Sequence, residues 1–402
     1  MHHVPDALSR LYEDEDTDFC AAIVTNDAWY NSRVEEITRH PRRYQNGEYL
    51  TAKCTLEIVT KMANIMKWMK NEKKEMMAVW PEIVEDLTNL SENTVVNEKM
   101  KKILEYNVLG VKLFRALILV YTFQLIAKEH IKKNMCIRLI RIVAWCLELM
   151  QAACLVIDDL QDQALLRRGK PCWYRCEKIG ITAITDALKL EYSTNYLIKK
   201  HLKEKKCYID LMEMFNEIKL KTVNGQLLDL ELSNNMKKKP NLELFTMDQY
   251  NYIATHKTAY YSIFLPITIA MRLAGIKDQK NFMQAKSISL EIGRLFQIQD
   301  DFLDCFGDSK VNGKDGTDIQ DGKCTWFVAL QRATPEQRKI LEECYGFWDS
   351  KKVQRVKQLI RNVSLLDTSA APGSIGEIEP RGMATLRLRT PMPGTSSPDS
   401  NT

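Results

Sequence analysis

Two short runs in this sequence gather carboxylates at helical spacing. Asp158-Asp159-Leu160-Gln161-Asp162 and Asp300-Asp301-Phe302-Leu303-Asp304 both follow the pattern D-D-x-x-D. Residues i and i+4 of a helix share a face, so each run points two carboxylates the same way, with the middle aspartate beside them. Each run closes a strongly apolar stretch, Cys154 to Ile157 before the first and Ile292 to Ile298 before the second. Like charges gathered at a helix C-terminus, where the dipole is also negative, are unfavourable unless a cation sits among them. A few carboxylates completed by phosphate oxygens and water are the ligands magnesium takes. One such run alone reads as a solvated helix end. Two on apolar helices, if those helices face each other, read as two walls of one metal–diphosphate site. Asp158, Asp159, Asp162, Asp300, Asp301 and Asp304 are its candidate ligands.

A diphosphate site also needs cations. Arg167 and Arg168 follow the first motif within about two helical turns, and guanidinium forks suit phosphate oxygens. Lys112 and Arg115 stand three residues apart in an apolar stretch expected to be helical, a placement that costs burial energy without an anionic partner. Lys257 interrupts another apolar helix, and Lys314 and Lys323 flank the loop after the second motif.

The elements that must position these residues are helices. From about Leu50 to Arg361 glycine and proline are sparse and strand-like alternation is hard to find, which implies an all-α fold. Helix candidates include residues 51–70, 97–107, 110–129, 134–163, 181–204, 207–233, 247–274, 279–306, 322–332 and 335–345. Ile137 to Ile157 is apolar around most of its circumference, the mark of a helix buried on all sides of a bundle. The expected organisation is a poorly ordered polar extension over 1–45, one large helical domain over 46–363, and a disordered Ser/Thr/Pro/Gly tail over 364–402.

Composition excludes several other functions. The net charge of +5 comes from clusters such as Lys199 to Lys206 and Lys237 to Lys239, which read as solvated faces and not as a nucleic-acid surface. The 11 cysteines show no paired spacing. Cys172 and Cys176 form a lone C-x3-C, so zinc is not expected and the thiols read as core residues of a reducing compartment. The acidic start (Glu13 to Asp16) matches neither a secretory signal nor a mitochondrial presequence. The apolar stretches around 107–127 and 259–275 are interrupted by Lys112, Arg115, Pro266 and Arg272. No membrane span and a cytoplasmic location are therefore expected. The histidines are scattered, and His256 beside Lys257 reads as a packed residue and not as a base.

Taken together, these segments resemble the farnesyl diphosphate synthases of eukaryotes. The first aspartate-rich region is similar from Gln151 to Asp159 and again in Arg167-Arg168-Gly169-Lys170-Pro171-Cys172-Trp173-Tyr174. The second is similar from Phe296 to Asp308. Tyr106 to Lys112, Gly225-Gln226-Leu227-Leu228-Asp229, Lys257 to Ser262 and Gly316 to Cys324 also match, so the resemblance covers about residues 97–361 in order. It implies a helical bundle acting as a homodimer. By match to the family's motifs, the aspartates would hold magnesium, three ions with the diphosphate bound. Arg167, Lys257 and Lys314, with Lys323, would clamp an allylic diphosphate. Lys112, Arg115, Gln151 and Arg168 would hold isopentenyl diphosphate, and Thr258 and Gln297 would line the reacting centre beside Lys257. The implied reaction ionises the allylic substrate and joins its carbocation to isopentenyl diphosphate, giving farnesyl diphosphate or a longer product. A terpene synthase that cyclises the allylic diphosphate and an inactive partner subunit are the competing readings. Retention of Lys112, Arg115 and Arg168 opposes the first, and the intact aspartates oppose the second.

The chain departs from the family's pattern in three places. Ala153 and Cys154, five and four residues before Asp158, replace a pair that is usually aromatic. One turn below the carboxylates, such small residues are expected to deepen the pocket floor. Phe114 and Val111 stand where the family usually has Asn and Gly. Near Arg361 the resemblance stops and the chain turns polar, which is expected to expose apolar surface and weaken closure over the second substrate.

Overall fold

A computed structural model describes residues 46–307, 313–314, 316–329 and 334–366, with side chains from Asn64 onward except Asn134 and residues 363–366. The expected polar extension over 1–45, and the tail over 364–402 beyond the helical backbone at Leu366, lie outside the described residues. So do Val311, Asn312 and Asp315 of the expected glycine-rich break, and residues 330–332 of the candidate helix 322–332. Among the described residues, one compact unit comprises 57–307, 313–314, 316–329 and 334–359, and a second comprises 46–56 and 360–366.

The described chain is helical, as the sparse glycines and absent alternation imply. Helices α1 (Asn46–Thr88), α2 (Thr94–Asn107), α3 (Phe114–Ile126), α4 (Glu129–Asn134) and α5 (Ile137–Gln161) lead to a two-residue hairpin, β1 (Leu166–Arg167) paired antiparallel with β2 (Lys170–Pro171). After it come α6 (Ala183–Leu202), α7 (Tyr208–Lys238) and α8 (Met247–Ile253). A π-helix over Ala254–Phe264 follows and runs directly into α9 (Leu265–Leu273). The remaining elements are α10 (Gln279–Phe306), the short α11 (Asp318–Asp321) and α12 (Trp326–Ala329), α13 (Pro335–Cys344) and α14 (Ser350–Leu366). Side chains end the flexible loops by capping. Asn93 accepts from the amides of Val95 and Val96, Asp278 from that of Lys280, and Thr334 and Gln337 form a reciprocal capping box.

Helix α5 is the axis of the core. Ile140 and every residue from Ile142 to Met150 are buried, and α5 packs against α6 on one side and α3 on another. Trp145 donates to the Met76 carbonyl at 2.9 Å and lies 4.5 Å from the Trp80 ring. This helix is long and apolar enough to cross a bilayer by length and composition. Its burial among the neighbouring helices makes it a core helix here, as expected of an all-round apolar stretch. The π-helix is the second axis, packed between α7 and α10. Two glycines make that contact close. A Cβ on Gly225 of α7 would lie 2.2 Å from the Lys257 nitrogen, and one on Gly293 of α10 would lie 2.2 Å from the Ala259 Cβ.

Two expectations are corrected. Residues 322–332 do not form one helix: α12 is short and separate from α11, because Gly322 turns left-handed (φ 64°) and ends the turn before it. Lys112 and Arg115 do not share a helical face. Leu113 is left-handed (φ 53°) and α3 begins only at Phe114, so Lys112 stands exposed in the turn while Arg115 enters the core.

Candidate functional site

The two aspartate motifs end α5 and α10, and three lysines from three other segments meet them. Lys257, in the π-helix, contacts Asp158 at 3.1 Å and Asp229 at 2.7 Å. Lys323, which follows α11, contacts the same Asp229 carboxylate at 2.9 Å and Asp162 at 2.7 Å. Asp158, Lys257, Asp229, Lys323 and Asp162 therefore form an alternating string of charges from one end of the first motif to the other. Gln226, one residue after the close-packed Gly225, donates to Asp158 at 3.0 Å. Lys314 stands 3.5 Å from Asp300 and 3.7 Å from Asp304 of the second motif. Asp304 also accepts from the Asp318 amide at 3.0 Å.

The β-hairpin joins the two walls. Arg167 donates through Nε to Asp159 at 2.9 Å and lies 3.7 Å from Asp158. At the hairpin's tip the Gly169 amide donates to the Gly313 carbonyl at 2.8 Å, which brings Lys314 beside the segment after the first motif. The middle aspartates face elsewhere. Asp159 is buried against Arg167, and Asp301 is buried with its two oxygens accepting from Gln297 and the Trp326 amide, each at 2.8 Å. No ion pair of Asp301 occurs among the described residues.

The electrostatics show a surplus of negative charge. Burial alone would push the Asp158 and Asp229 carboxyls up, but Lys257 and Lys323 more than reverse this and hold both below the usual carboxylate range. Asp162 is raised by burial and by Asp158, and Asp304 by burial with Asp300 adding to it. Asp318 is driven well up by desolvation and by Asp304. Burial pushes Asp301 up to about 7. These carboxylates outnumber the cations that face them, and burial is the first cause of each raised carboxyl. An all-oxygen donor set of this kind fits a hard divalent cation such as magnesium.

A second group lies across α3, α5 and the π-helix. Buried Arg115 donates to Gln151 at 2.6 Å, to Ser262 at 2.7 Å and to the Tyr261 hydroxyl at 3.0 Å, with its guanidinium 4.5 Å from the Tyr261 ring centre. Glu148, one turn before Gln151 (three residues), accepts from the Ala116 amide at 3.0 Å. Arg168, left-handed at φ 55°, donates to the Asn107 carbonyl at 3.0 Å. Its guanidinium is lowered to about 10 by burial and by neighbouring Arg167. Between the groups, Thr258 donates to Gln297 at 2.5 Å. Ala153 is buried and Cys154 half-buried, one turn below Asp158. His256 stacks 3.9 Å from the Tyr252 ring, packed and away from the carboxylates.

Of the residues singled out in the sequence, the structure brings Asp158 and Asp162 together with Lys257 and Lys323, Asp300 and Asp304 with Lys314, and Arg115 with Gln151. Lys112 stands exposed in the turn before α3. Sequence reasoning gave no role to Asp229, Gln226, Asp318, Tyr261, Ser262 or Glu148. For Asp229 a signal existed: it stands four residues after Gly225, on the helical face that the glycine presses against Lys257.

A family model described as Polyprenyl synthetase matches residues 97–363. A farnesyl pyrophosphate synthase of Nezara viridula is 47% identical over 291 residues, covering 72% of this chain and 71% of that protein. One of Gallus gallus is 41% identical over 303 residues, covering 74% of this chain and 82% of the other. Among solved structures, a T. brucei farnesyl diphosphate synthase complexed with minodronate superimposes with a TM-score of 0.68 at 28% identity, covering 73% of this chain and 88% of that one. The chain belongs to the polyprenyl synthetase family, as a prenyltransferase of the farnesyl pyrophosphate synthase kind.

Proposed function

We propose that this enzyme condenses isopentenyl diphosphate with dimethylallyl or geranyl diphosphate, giving farnesyl diphosphate or a longer prenyl diphosphate. The observation that carries this reading is the convergence of Lys257, Lys314 and Lys323 on the carboxylates of both aspartate motifs. Asp158, Asp162, Asp300 and Asp304 would hold three magnesium ions, with Asp159 fixed behind them by Arg167. Magnesium, when bound, neutralises the departing diphosphate and so favours cleavage of the allylic carbon–oxygen bond. Lys257, Lys314 and Arg167 bind and orient that diphosphate through charge-assisted hydrogen bonds. Arg115, oriented by Gln151, Tyr261 and Ser262, together with Lys112 and Arg168, positions the isopentenyl diphosphate so that its alkene faces the allylic carbon. The apolar walls exclude the water that would quench the carbocation. Lys323 neutralises Asp162 and Asp229 from behind.

Exposed apolar residues support a homodimer. Ile184, Leu188 and Tyr192 of α6 and Leu220, Val223 and Leu227 of α7 are all at least 40% exposed, at the i, i+3, i+4 and i+7 spacings of packed helices. The cysteines in the described residues are all free, in keeping with the reducing cytoplasm.

The decisive assay incubates purified protein with magnesium and geranyl diphosphate, with and without isopentenyl diphosphate. Products are identified by gas chromatography–mass spectrometry after phosphatase treatment. Prenyl alcohols longer than geraniol that require isopentenyl diphosphate are expected. Hydrocarbons or cyclic alcohols formed without it would replace this reading with a terpene synthase. The same assay tests the pocket floor. Ala153→Phe with Cys154→Phe fills the space one turn, about 5.4 Å, below the carboxylates and should shorten the longest product by at least one isoprene unit. An unchanged product spectrum would show that other walls set the length.

A further inference from the structure

We infer that Asp301, the middle aspartate of the second motif, is a positioning residue that sets the direction of the hydrogen bond between Gln297 and Thr258, and through it which end of the Thr258 hydroxyl faces the reacting centre. The inference rests on the prenyltransferase reading above. One Asp301 oxygen accepts from the Trp326 backbone amide at 2.8 Å, a donor that cannot reverse. The other faces the Gln297 side chain at 2.8 Å, and the carboxylate is only 3% exposed, so water does not compete for it. The Gln297 NH2 group donates to this oxygen, the arrangement that a carboxylate which only accepts requires. Its carbonyl is left to face Thr258, 2.5 Å away. Thr258 has one hydrogen, and that carbonyl takes it. The remaining face of the hydroxyl is then lone pairs, the negative end of its dipole, fixed without reorganisation beside the place where positive charge develops.

This chain of constraint gives the middle aspartate of the second motif a task apart from Asp300 and Asp304, which face Lys314. It also predicts the effect of removing one charge while keeping shape. In Asp301→Asn the amide oxygen satisfies Trp326 and its NH2 points at Gln297. Gln297 meets it by flipping, presenting its carbonyl to Asn and its NH2 to Thr258. Gln297, Thr258 and the Trp326 amide all stay bonded, so the fold survives. Thr258 now accepts, and its hydrogen turns toward the cavity. The network can be rebuilt in mirror order by adding Gln297→Glu. The new carboxylate accepts from both the asparagine NH2 and Thr258, and the original polarity returns.

The experiment compares the parent enzyme, D301N, Q297E and D301N/Q297E at pH 8, measuring kcat, both KM values and magnesium half-saturation. In parallel, thermal melts record stabilisation by magnesium plus inorganic diphosphate. D301N should lose about 100-fold in kcat, the loss seen when one preorganised dipole is removed. Its KM values, its magnesium half-saturation and its diphosphate-induced melting shift should stay within twofold of the parent. The double variant should recover at least tenfold over D301N. Q297E alone, with two facing carboxylates, should be worse than the double variant. A several-fold rise in magnesium half-saturation or a lost melting shift in D301N would make Asp301 a metal ligand instead and overturn the inference. So would a folded double variant no faster than D301N. Should the double variant not fold, Q297L serves: adding D301N to it should cost no further activity, and a further loss overturns the inference. Failure of the parent enzyme to make prenyl products would instead count against the prenyltransferase reading.

Discussion

Replacing Gly225 with alanine should cut turnover about 100-fold and lower stability by about 2 kcal/mol. Both effects follow from one contact. The added methyl would lie 2.2 Å from the Lys257 nitrogen and 2.8 Å from the His256 carbonyl carbon, both backbone atoms that cannot rotate aside. Either α7 or the π-helix must move, and each carries part of the site: Gln226 and Asp229 on one, Lys257 and Thr258 on the other. Local helix preference argues the opposite way, since alanine in a helix interior is favoured over glycine by roughly 1 kcal/mol. The sign of the change in melting temperature therefore decides between packing and propensity. Gly180→Ala is the control. Gly180 has φ 51° and nothing within 4 Å of a new Cβ. It should lose stability through left-handed strain of about 1 kcal/mol while turnover holds.

Asp229→Asn should destabilise the unliganded enzyme by about 3 kcal/mol, the lower end of the cost of breaking a buried ion pair. The lower end applies because Lys257 keeps Asp158 and Lys323 keeps Asp162. Asp229 is 4% exposed and binds both lysines with the same oxygen, so no water replaces it. Its carboxyl is held below the unfolded value of about 3.9. Its contribution is thus complete above that value and is lost as the pH falls through the folded one. The variant should melt lower than the parent at pH 7, and the two should converge in strong acid. Magnesium with inorganic diphosphate should narrow the gap at pH 7, because the diphosphate brings Lys257 a new anion. Equal melting temperatures of variant and parent without ligand would mean that Asp229 does not hold the lysines in place.

Much of this site was legible because its chemistry is periodic. The i, i+4 spacing of Asp158 with Asp162 and of Asp300 with Asp304 needs only a helix to bring each pair to one face. Helix α10 runs from Gln279 to Phe306, the bounds read from its sequence. The lysines stood out by their positions, and the family resemblance supplied their roles. What stayed hidden depends on contacts between distant segments. Asp229 looks like any acidic residue of an amphipathic helix until Gly225 presses that helix against Lys257. Lys112 and Arg115 looked like helical neighbours, since a single left-handed residue such as Leu113 leaves no mark in composition. Helix α1 continues well past residue 70, through Pro81. Buried Glu72 pairs there with Arg141 of α5 at 2.7 Å, so tertiary contact sustains a stretch whose charges suggest an end.

The π-helix sets a limit on how this enzyme can change in length. Its i→i+5 bonding winds more loosely than the α-helices at either end, and so sets the angle between Lys257, facing the carboxylates, and Tyr261 and Ser262, facing Arg115. Loss of one residue between them would tighten that turn toward i→i+4 bonding and shift Tyr261 and Ser262 from their present setting relative to Lys257. The two substrate groups would then no longer face the same space. Substitution can reshape this stretch, but insertion or deletion cannot, and related sequences that keep both substrates should keep its residue count.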